Sequence, residues 1–195
     1  MAGPIHASIV SSITAAFYDV RSSLPGPIRR RIFPAGNLMH VGFRGHYVGS
    51  IKTPDLVVEF VGANERLDSK FILEVGVSET YEQLVEEARL WLEGEPRVSV
   101  VLIIKFEESS PFQCPIRTID DQRLGRLRFP DFVSDEWNNF VAHSNYGPVT
   151  YRGLQWFGGL SAVFAEVWRQ DSTSGRAAQS GDRVVGYFPP WLNNN

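Results

Sequence analysis

A buried strand, an amphipathic helix and a second buried strand follow one another in the middle of the chain. Residues 71–77 and 98–106 are almost wholly apolar, as in strands covered on both faces. Between them, Ser78 is a predicted helix N-cap, apolar residues recur at helical spacing, and Pro96 follows the helix. Two strands joined by one helix are typical of a parallel pair with a right-handed crossover. This order predicts an α/β fold.

The elements before this unit extend the order. Apolar residues three and four apart predict a first helix over residues 5–20, which ends before Pro25. Alternating apolar and polar residues predict a first strand within 38–47 and a second strand over 56–61. A polar stretch separates the second strand from the third, which favours a hairpin. The predicted order is helix, strand, strand, strand, helix, strand.

Composition excludes several classes of protein. The chain has 195 residues, of which 43% are hydrophobic and 21% charged, enough apolar material for a packed core. Its longest aliphatic run, residues 100–104, is far shorter than the roughly 20 residues of a membrane span. Residues 5–17 are too polar for a signal peptide, and Cys114 has no disulfide partner within the chain. We expect an intracellular protein, cytoplasmic or nuclear, that does not act at a membrane.

Two acidic residues stand out against the apolar background of the hairpin. Asp55 directly follows Pro54 at the start of the second strand, and Glu74 lies inside the third strand among apolar neighbours. An ionised carboxylate in such a strand is costly unless it is paired or bound to a metal. We expect the two side chains to converge at one end of the sheet.

Pro54, Asp55 and Glu74 in this order of elements resemble the PD-(D/E)XK nuclease-like fold. The string Glu-Val-Gly-Val-Ser-Glu at residues 74–79, with the helix and strand that follow it, is similar to fungal members of that group. The resemblance covers about residues 5–106. It implies a restriction-endonuclease-like αβββαβ core over residues 1–107, to which a β-rich C-terminal extension over 108–195 is added to complete a single domain.

The resemblance also implies an activity, hydrolysis of phosphodiester bonds in nucleic acid with Mg²⁺ or Mn²⁺. Asp55 and Glu74 would be the metal ligands, with a backbone carbonyl near Val75 completing the shell. Hard oxygen ligands suit Mg²⁺, and a bound metal lowers the pKa of its water and neutralises charge on the phosphate. The alternative is an inactive protein that keeps the nuclease fold as a binding or regulatory module.

One residue departs from the family's pattern. Two positions after the glutamate the family has a lysine, and this chain has Gly76, so we expect a gap there. The sequence contains three lysines, all within or beside the motif strands: Lys52, Lys70 and Lys105. Lys105, on the neighbouring strand, is the preferred replacement as a catalytic residue. Lys70 lies about 13 Å along the strand from the glutamate. Arg89 is a poorer candidate, because an arginine does not deprotonate.

Each acidic residue also has a structural explanation. Asp55 after Pro54 is in the right place to cap the turn into its strand. Glu74 has Lys70, Lys105 and Arg89 as possible partners for a structural salt bridge. His40 and His46 precede the second strand and are within reach of the site as structural or functional histidines.

The C-terminal part offers one basic patch and two strands. Arg123, Arg126 and Arg128 lie close together and are the candidate nucleic-acid contacts, with a solvated strand face as the alternative. The formal charge of −3 gives no global attraction to nucleic acid, so binding depends on such a local patch. Residues 160–168 and 184–188 are predicted strands, and the Ser- and Gly-rich residues 170–182 between them a loop.

Overall fold

The computed structural model describes residues 4–62, 65–109, 119, 140–142, 147–151 and 153–187. The chain divides into two compact units. The first contains Met1–Lys105 and Phe164–Val185, and the second contains Phe106–Val163 and Gly186–Asn195. Arg123, Arg126, Arg128 and Cys114 lie outside the described residues.

The described helices and strands alternate as in a mixed α/β protein. In chain order they begin with helix α1 (Pro4–Ser23), helix α2 (Gly26–Arg29), strands β1 (Ile32–Ala35), β2 (Leu56–Val61) and β3 (Leu67–Gly76), helix α3 (Tyr81–Gly94) and strand β4 (Val100–Glu108). They continue with strands β5 (Phe140–Ala142), β6 (Val149–Tyr151), β7 (Leu154–Phe157), β8 (Leu160–Gln170), β9 (Ala177–Gln179) and β10 (Val184–Tyr187). No helix among these is long and apolar enough to cross a membrane.

One mostly antiparallel sheet carries the predicted site. Its order in the described residues is β1-β2-β3-β4-β8-β10, with β9 paired to β8. The pairs β1–β2 and β2–β3 are antiparallel, whereas β3–β4 is parallel, with α3 as the connection. The predicted hairpin and the predicted parallel pair are therefore both present. Strands β5, β6 and β7 form a separate antiparallel sheet.

Helices α1 and α3 cover opposite faces of this sheet. Ile72 of β3 packs with Ala88 and Trp91 of α3 in the main hydrophobic cluster. Phe71, the preceding strand residue, packs its ring 4.8 Å from the ring of Phe17 in α1. Because successive strand residues point to opposite faces, the two helices lie on the two sides of β3.

The start of α3 differs from the prediction of a Ser78 cap. Thr80 is the N-cap, since its hydroxyl accepts a hydrogen bond from the backbone N–H of Gln83 at 3.2 Å. The Gln83 side chain in turn accepts from the Thr80 N–H at 2.8 Å, which completes a capping box. The sequence signal for this cap was the Thr-x-x-Gln spacing, which is more specific than a single serine.

The first strand is also elsewhere than predicted. It runs over Ile32–Ala35, and residues 38–47 form a loop with a short 3₁₀ helix at Gly45–Tyr47 and one isolated bridge between His40 and Lys52. Gly42 and Gly45 adopt φ values of 83° and 61°, which interrupt an extended backbone. The predicted loop over 170–182 likewise contains the short strand β9.

Candidate functional site

The hairpin register brings Asp55 and Glu74 together. Leu56 of β2 pairs with Leu73 of β3 in antiparallel register, so the next pair along the two chains is Asp55 opposite Glu74. Directly opposed residues in such a pair have Cβ atoms about 5 Å apart and side chains on one face. The two acidic residues therefore lie at the same end of the hairpin, where β3 leads into α3. Their side chains contact different helices, since Glu74 accepts from Trp91 of α3 and Asp55 lies against His6 of α1.

Asp55 is held by two donors. Its Oδ2 accepts a hydrogen bond from the backbone N–H of Val75 at 2.7 Å, and its Oδ1 lies 2.9 Å from Nε2 of His6 in α1. The bond to Val75 satisfies a β3 donor at a point where the partner strand has not yet begun. The Val75 bond crosses to the neighbouring strand and, with His6, fixes the Asp55 carboxylate, while a cap of the turn into β2 stays a prediction. The contribution of the Val75 carbonyl to a metal shell stays a prediction.

Glu74 is buried with little compensation for its charge. Its side chain accepts a hydrogen bond of 2.6 Å from the indole N–H of Trp91, and the residue is only 4% exposed. Burial, together with the nearby charge of Glu87, raises the pKa of Glu74 to about 8, although Lys52 and Trp91 act in the opposite direction. The Asp55 carboxylate contributes to the same upward shift.

Helix α3 supplies both Glu87 and Trp91 from one face, because residues four apart in a helix lie one above the other. Trp91 binds Glu74, and Glu87 forms an ion pair with the ammonium of Lys52. Burial lowers the pKa of Lys52, but the Glu87 hydrogen bond and the charges of Glu74, Glu87 and Asp55 outweigh it, so that pKa is raised. Lys52 therefore belongs to the same charge cluster as the two predicted acids.

Three residues of this cluster were not assigned to the site from the sequence: His6, Lys52 and Glu87. A signal existed for two of them. Glu87 stands four residues before Trp91, and Lys52 stands three residues before Asp55. His6 reaches Asp55 from a helix far away in the sequence, and no local pattern indicates that contact.

The surroundings of Gly76 leave little room for a side chain. A Cβ atom on Gly76 would lie 2.6 Å from Cδ1 of Leu84 in α3. The predicted gap beside Gly76 is therefore wrong, since the Leu84 side chain fills it. Lys105 is in register with Gly76 on β4, and its ammonium donates to the carbonyl oxygen of Val77 at 2.9 Å.

The other basic candidates have acidic partners of their own. Lys70 lies 3.8 Å from the Asp68 carboxylate, and Arg89 pairs with Glu86. His40 packs edge-on against Trp91, with ring centroids 5.1 Å apart, and burial lowers its pKa. His46 lies in the 3₁₀ helix.

The donor set suits a magnesium ion with an open shell. The described part of the chain contains no group of three or more His, Cys, Asp or Glu side chains placed to hold a metal. Mg²⁺ does not need such a cage, because it is usually bound by one or two carboxylates together with waters and substrate phosphates. Asp55 and Glu74 supply two carboxylates from adjacent strands, which fits this mode of binding.

A second buried glutamate lies in the same compact unit. Glu166 of β8 is 1% exposed and has three donors: the Tyr81 hydroxyl at 2.9 Å, the Trp168 indole at 2.9 Å and the Arg183 guanidinium at 2.7 Å. Arg183 also stacks over the ring of Phe164 at 3.9 Å. This carboxylate is thoroughly compensated, as expected of a structural anchor.

Comparison of the chain with protein-family models, with curated proteins and with solved structures finds no match. The class of the fold and the geometry of the site are therefore the basis for a functional proposal.

Proposed function

We propose that this protein is an intracellular, divalent-metal-dependent phosphodiesterase that acts on nucleic acid and has a PD-(D/E)XK-like core. The observation that carries the proposal is the register of the β2–β3 hairpin, which, continued one pair beyond Leu56 and Leu73, sets Asp55 opposite Glu74. The order α1, β1, β2, β3, α3, β4, apart from the short α2, agrees with the αβββαβ arrangement of that fold.

The charge of the site supports a cation as its ligand. Three carboxylates belong to this cluster, those of Asp55, Glu74 and Glu87. The ammonium of Lys52 is the positive charge among the groups that act on Glu74. Burial is the main cause of the raised pKa of Glu74, and the negative charges of Glu87 and Asp55 add to it. A divalent cation would balance the excess of negative charge in this cluster.

The chain's own residues would position that cation and the substrate. Asp55 is oriented by the Val75 N–H and by His6, and Glu74 by the Trp91 indole, so both carboxylates are held before a ligand arrives. When bound, Mg²⁺ or Mn²⁺ supplies an activated water and neutralises charge on the phosphate. Arg123, Arg126 and Arg128 stay predicted contacts to the nucleic-acid backbone.

A second function is favoured by Gly76. The lysine of the family's motif is missing, and Leu84 closes the space that it would need. A protein with this change is a candidate for an inactive nuclease fold that binds nucleic acid or a regulatory partner without cleaving it. The two functions differ in whether the phosphodiester bond breaks.

Metal binding is tested first, by melting the wild type with Mn²⁺ or Mg²⁺ and with neither. At a hundredfold excess over the dissociation constant, a ligand adds about 2.7 kcal/mol of stability. For a chain of this length the melting temperature then rises by roughly 5 to 10 °C. The variant carrying Asp55→Asn and Glu74→Gln keeps the acceptor oxygens for Val75 and Trp91 but loses both charges. An equal shift in that variant would contradict the assignment of the site.

Cleavage is tested next on single- and double-stranded DNA and RNA with Mn²⁺. We expect cleavage by the wild type and none by the Asp55→Asn variant. A wild type that binds nucleic acid but leaves all four substrates intact would support the non-catalytic alternative and overturn the enzymatic proposal.

A further inference from the structure

The space next to the position where the family has its lysine is filled in this chain. Leu84 occupies the space beside Gly76, so no side chain longer than that of glycine fits there without displacing the helix residue. A phosphodiesterase built on this site needs an ammonium from another element. The sequence contains only three lysines, so few residues can supply this ammonium.

The contacts separate these three lysines. Lys70 lies by Asp68, and the Lys105 ammonium donates to the Val77 carbonyl. Lys52 also has an acidic partner, Glu87, but that partner lies on the face of α3 from which Trp91 binds Glu74. Its side chain is 26% exposed, so it lies at the margin of the site, where substrate can reach it.

The backbone fixes Lys52 as well. Its N–H and C=O form two hydrogen bonds with His40, of 3.1 and 2.7 Å. The ring of His40 packs in turn against Trp91. The lysine thus has a fixed main chain on one side and an acidic partner at its tip on the other, which is how a positioned catalytic group is usually built.

We propose that Lys52 takes the place of the missing lysine, contacting the attacking water or a non-bridging oxygen of the phosphate that is cleaved. This inference rests on the proposed function, and it deepens the assignment of that site. It replaces Lys105 in the role that the sequence suggested for it.

The role of Lys52 is that of a hydrogen-bond donor and a positive charge. Because the pKa of Lys52 is raised, the side chain stays protonated at neutral pH and does not accept the proton of the water. The water oxygen bonds to phosphorus as the bond to the leaving oxygen breaks. The water releases its proton to solvent and the leaving oxygen takes one from solvent, so no further reactant is needed.

The test compares Lys52→Met with Lys105→Met, and uses Lys70→Met as the matched control on a neighbouring strand. Cleavage rate and Mn²⁺ affinity, from thermal-shift titration, are both measured. We expect Lys52→Met to lower the cleavage rate by about a hundredfold or more. It should also bind Mn²⁺ more tightly than the wild type, because a positive charge beside the carboxylates is lost. Lys70→Met should change neither quantity.

A second substitution, Lys52→Arg, guards against failure of the methionine variant to fold. Arginine keeps the charge and the pairing with Glu87, so the fold and the Mn²⁺ affinity should be retained. Its bulkier fork should still slow cleavage by about tenfold, since a guanidinium does not replace an ammonium in a fitted site.

The outcomes separate the two proposals. If the wild type cleaves and Lys52→Met cleaves within about threefold of it, the role of Lys52 is overturned while the phosphodiesterase stands. Loss of cleavage in Lys105→Met, with cleavage kept in Lys52→Met, returns the role to Lys105. A wild type with neither a Mn²⁺-dependent shift nor cleavage overturns the proposed function together with this inference.

Discussion

Two buried glutamates in the same unit have opposite surroundings. Glu166 is 1% exposed and accepts hydrogen bonds from a guanidinium, a hydroxyl and an indole. Glu74 is 4% exposed, accepts one hydrogen bond from an indole, and lies near two further carboxylates. Burial alone therefore does not mark a functional carboxylate. What differs between the two residues is the balance of charge around the carboxylate.

The largest effect should come from removing the charged partner of Glu166. Arg183→Met leaves the buried Glu166 carboxylate with neutral donors only. Because the Arg183 side chain is 38% exposed, we expect the lower end of the usual cost, a loss of about 3 kcal/mol in the free energy of unfolding. Urea denaturation measures this loss. Arg176→Met is the control, since its exposed pair with Glu93 contributes less than about 1 kcal/mol. Equal losses in the two variants would contradict the distinction.

The free energy of unfolding should depend on pH because of Glu74, the glutamate with the uncompensated charge. The folded state raises the pKa of Glu74 from 4.5 to about 8, so folding favours the protonated form. That contribution is complete below the unfolded pKa and disappears as the pH rises through the folded one. Between about pH 6.5 and about pH 8.5, the wild type should lose about 2 kcal/mol relative to Glu74→Gln, which cannot ionise. Urea denaturation without added metal measures the difference.

Parallel stability curves for the wild type and Glu74→Gln over this pH range would be evidence against a protonated Glu74. They would show that the site is compensated much as Glu166 is, and the contrast between the two residues would fail.

The smallest effect should come from one neutral donor to Glu166. Tyr81→Phe removes a hydroxyl and leaves the guanidinium and the indole in place. We expect a loss of about 1 kcal/mol in the free energy of unfolding, about a third of that for Arg183→Met. Calorimetry or urea denaturation measures it. A loss as large as that of Arg183→Met would mean that the hydroxyl, and not the charge, is the main partner of the carboxylate.

The sequence predicted the centre of this molecule well because local signals agree there. Apolar segments specified β2, β3 and β4, and helical spacing between β3 and β4 specified α3. The predicted hairpin is present, and its register, continued one pair beyond Leu56 and Leu73, sets Asp55 opposite Glu74. The identification of the fold family and the activity stay predictions.

Errors occurred where glycine or long-range contacts decide the outcome. Alternation in residues 38–47 resembled a strand, but Gly42 and Gly45 adopt positive φ values, and β1 formed at Ile32–Ala35 instead. The partners of the two acids came from distant elements, His6 in α1 for Asp55 and Trp91 in α3 for Glu74. The donors to Glu166 also lie far apart in the chain, so no short sequence motif predicts them.

Leu84 and Gly76 each limit which residues can replace the other. A lysine at position 76 would collide with Leu84, and a smaller residue at position 84 would leave a cavity in the main hydrophobic cluster. Each substitution alone is therefore expected to cost stability, by an amount that depends on how far the Leu84 side chain can shift. The two positions are coupled, so the free-energy effects of substituting both should not be the sum of the two single effects.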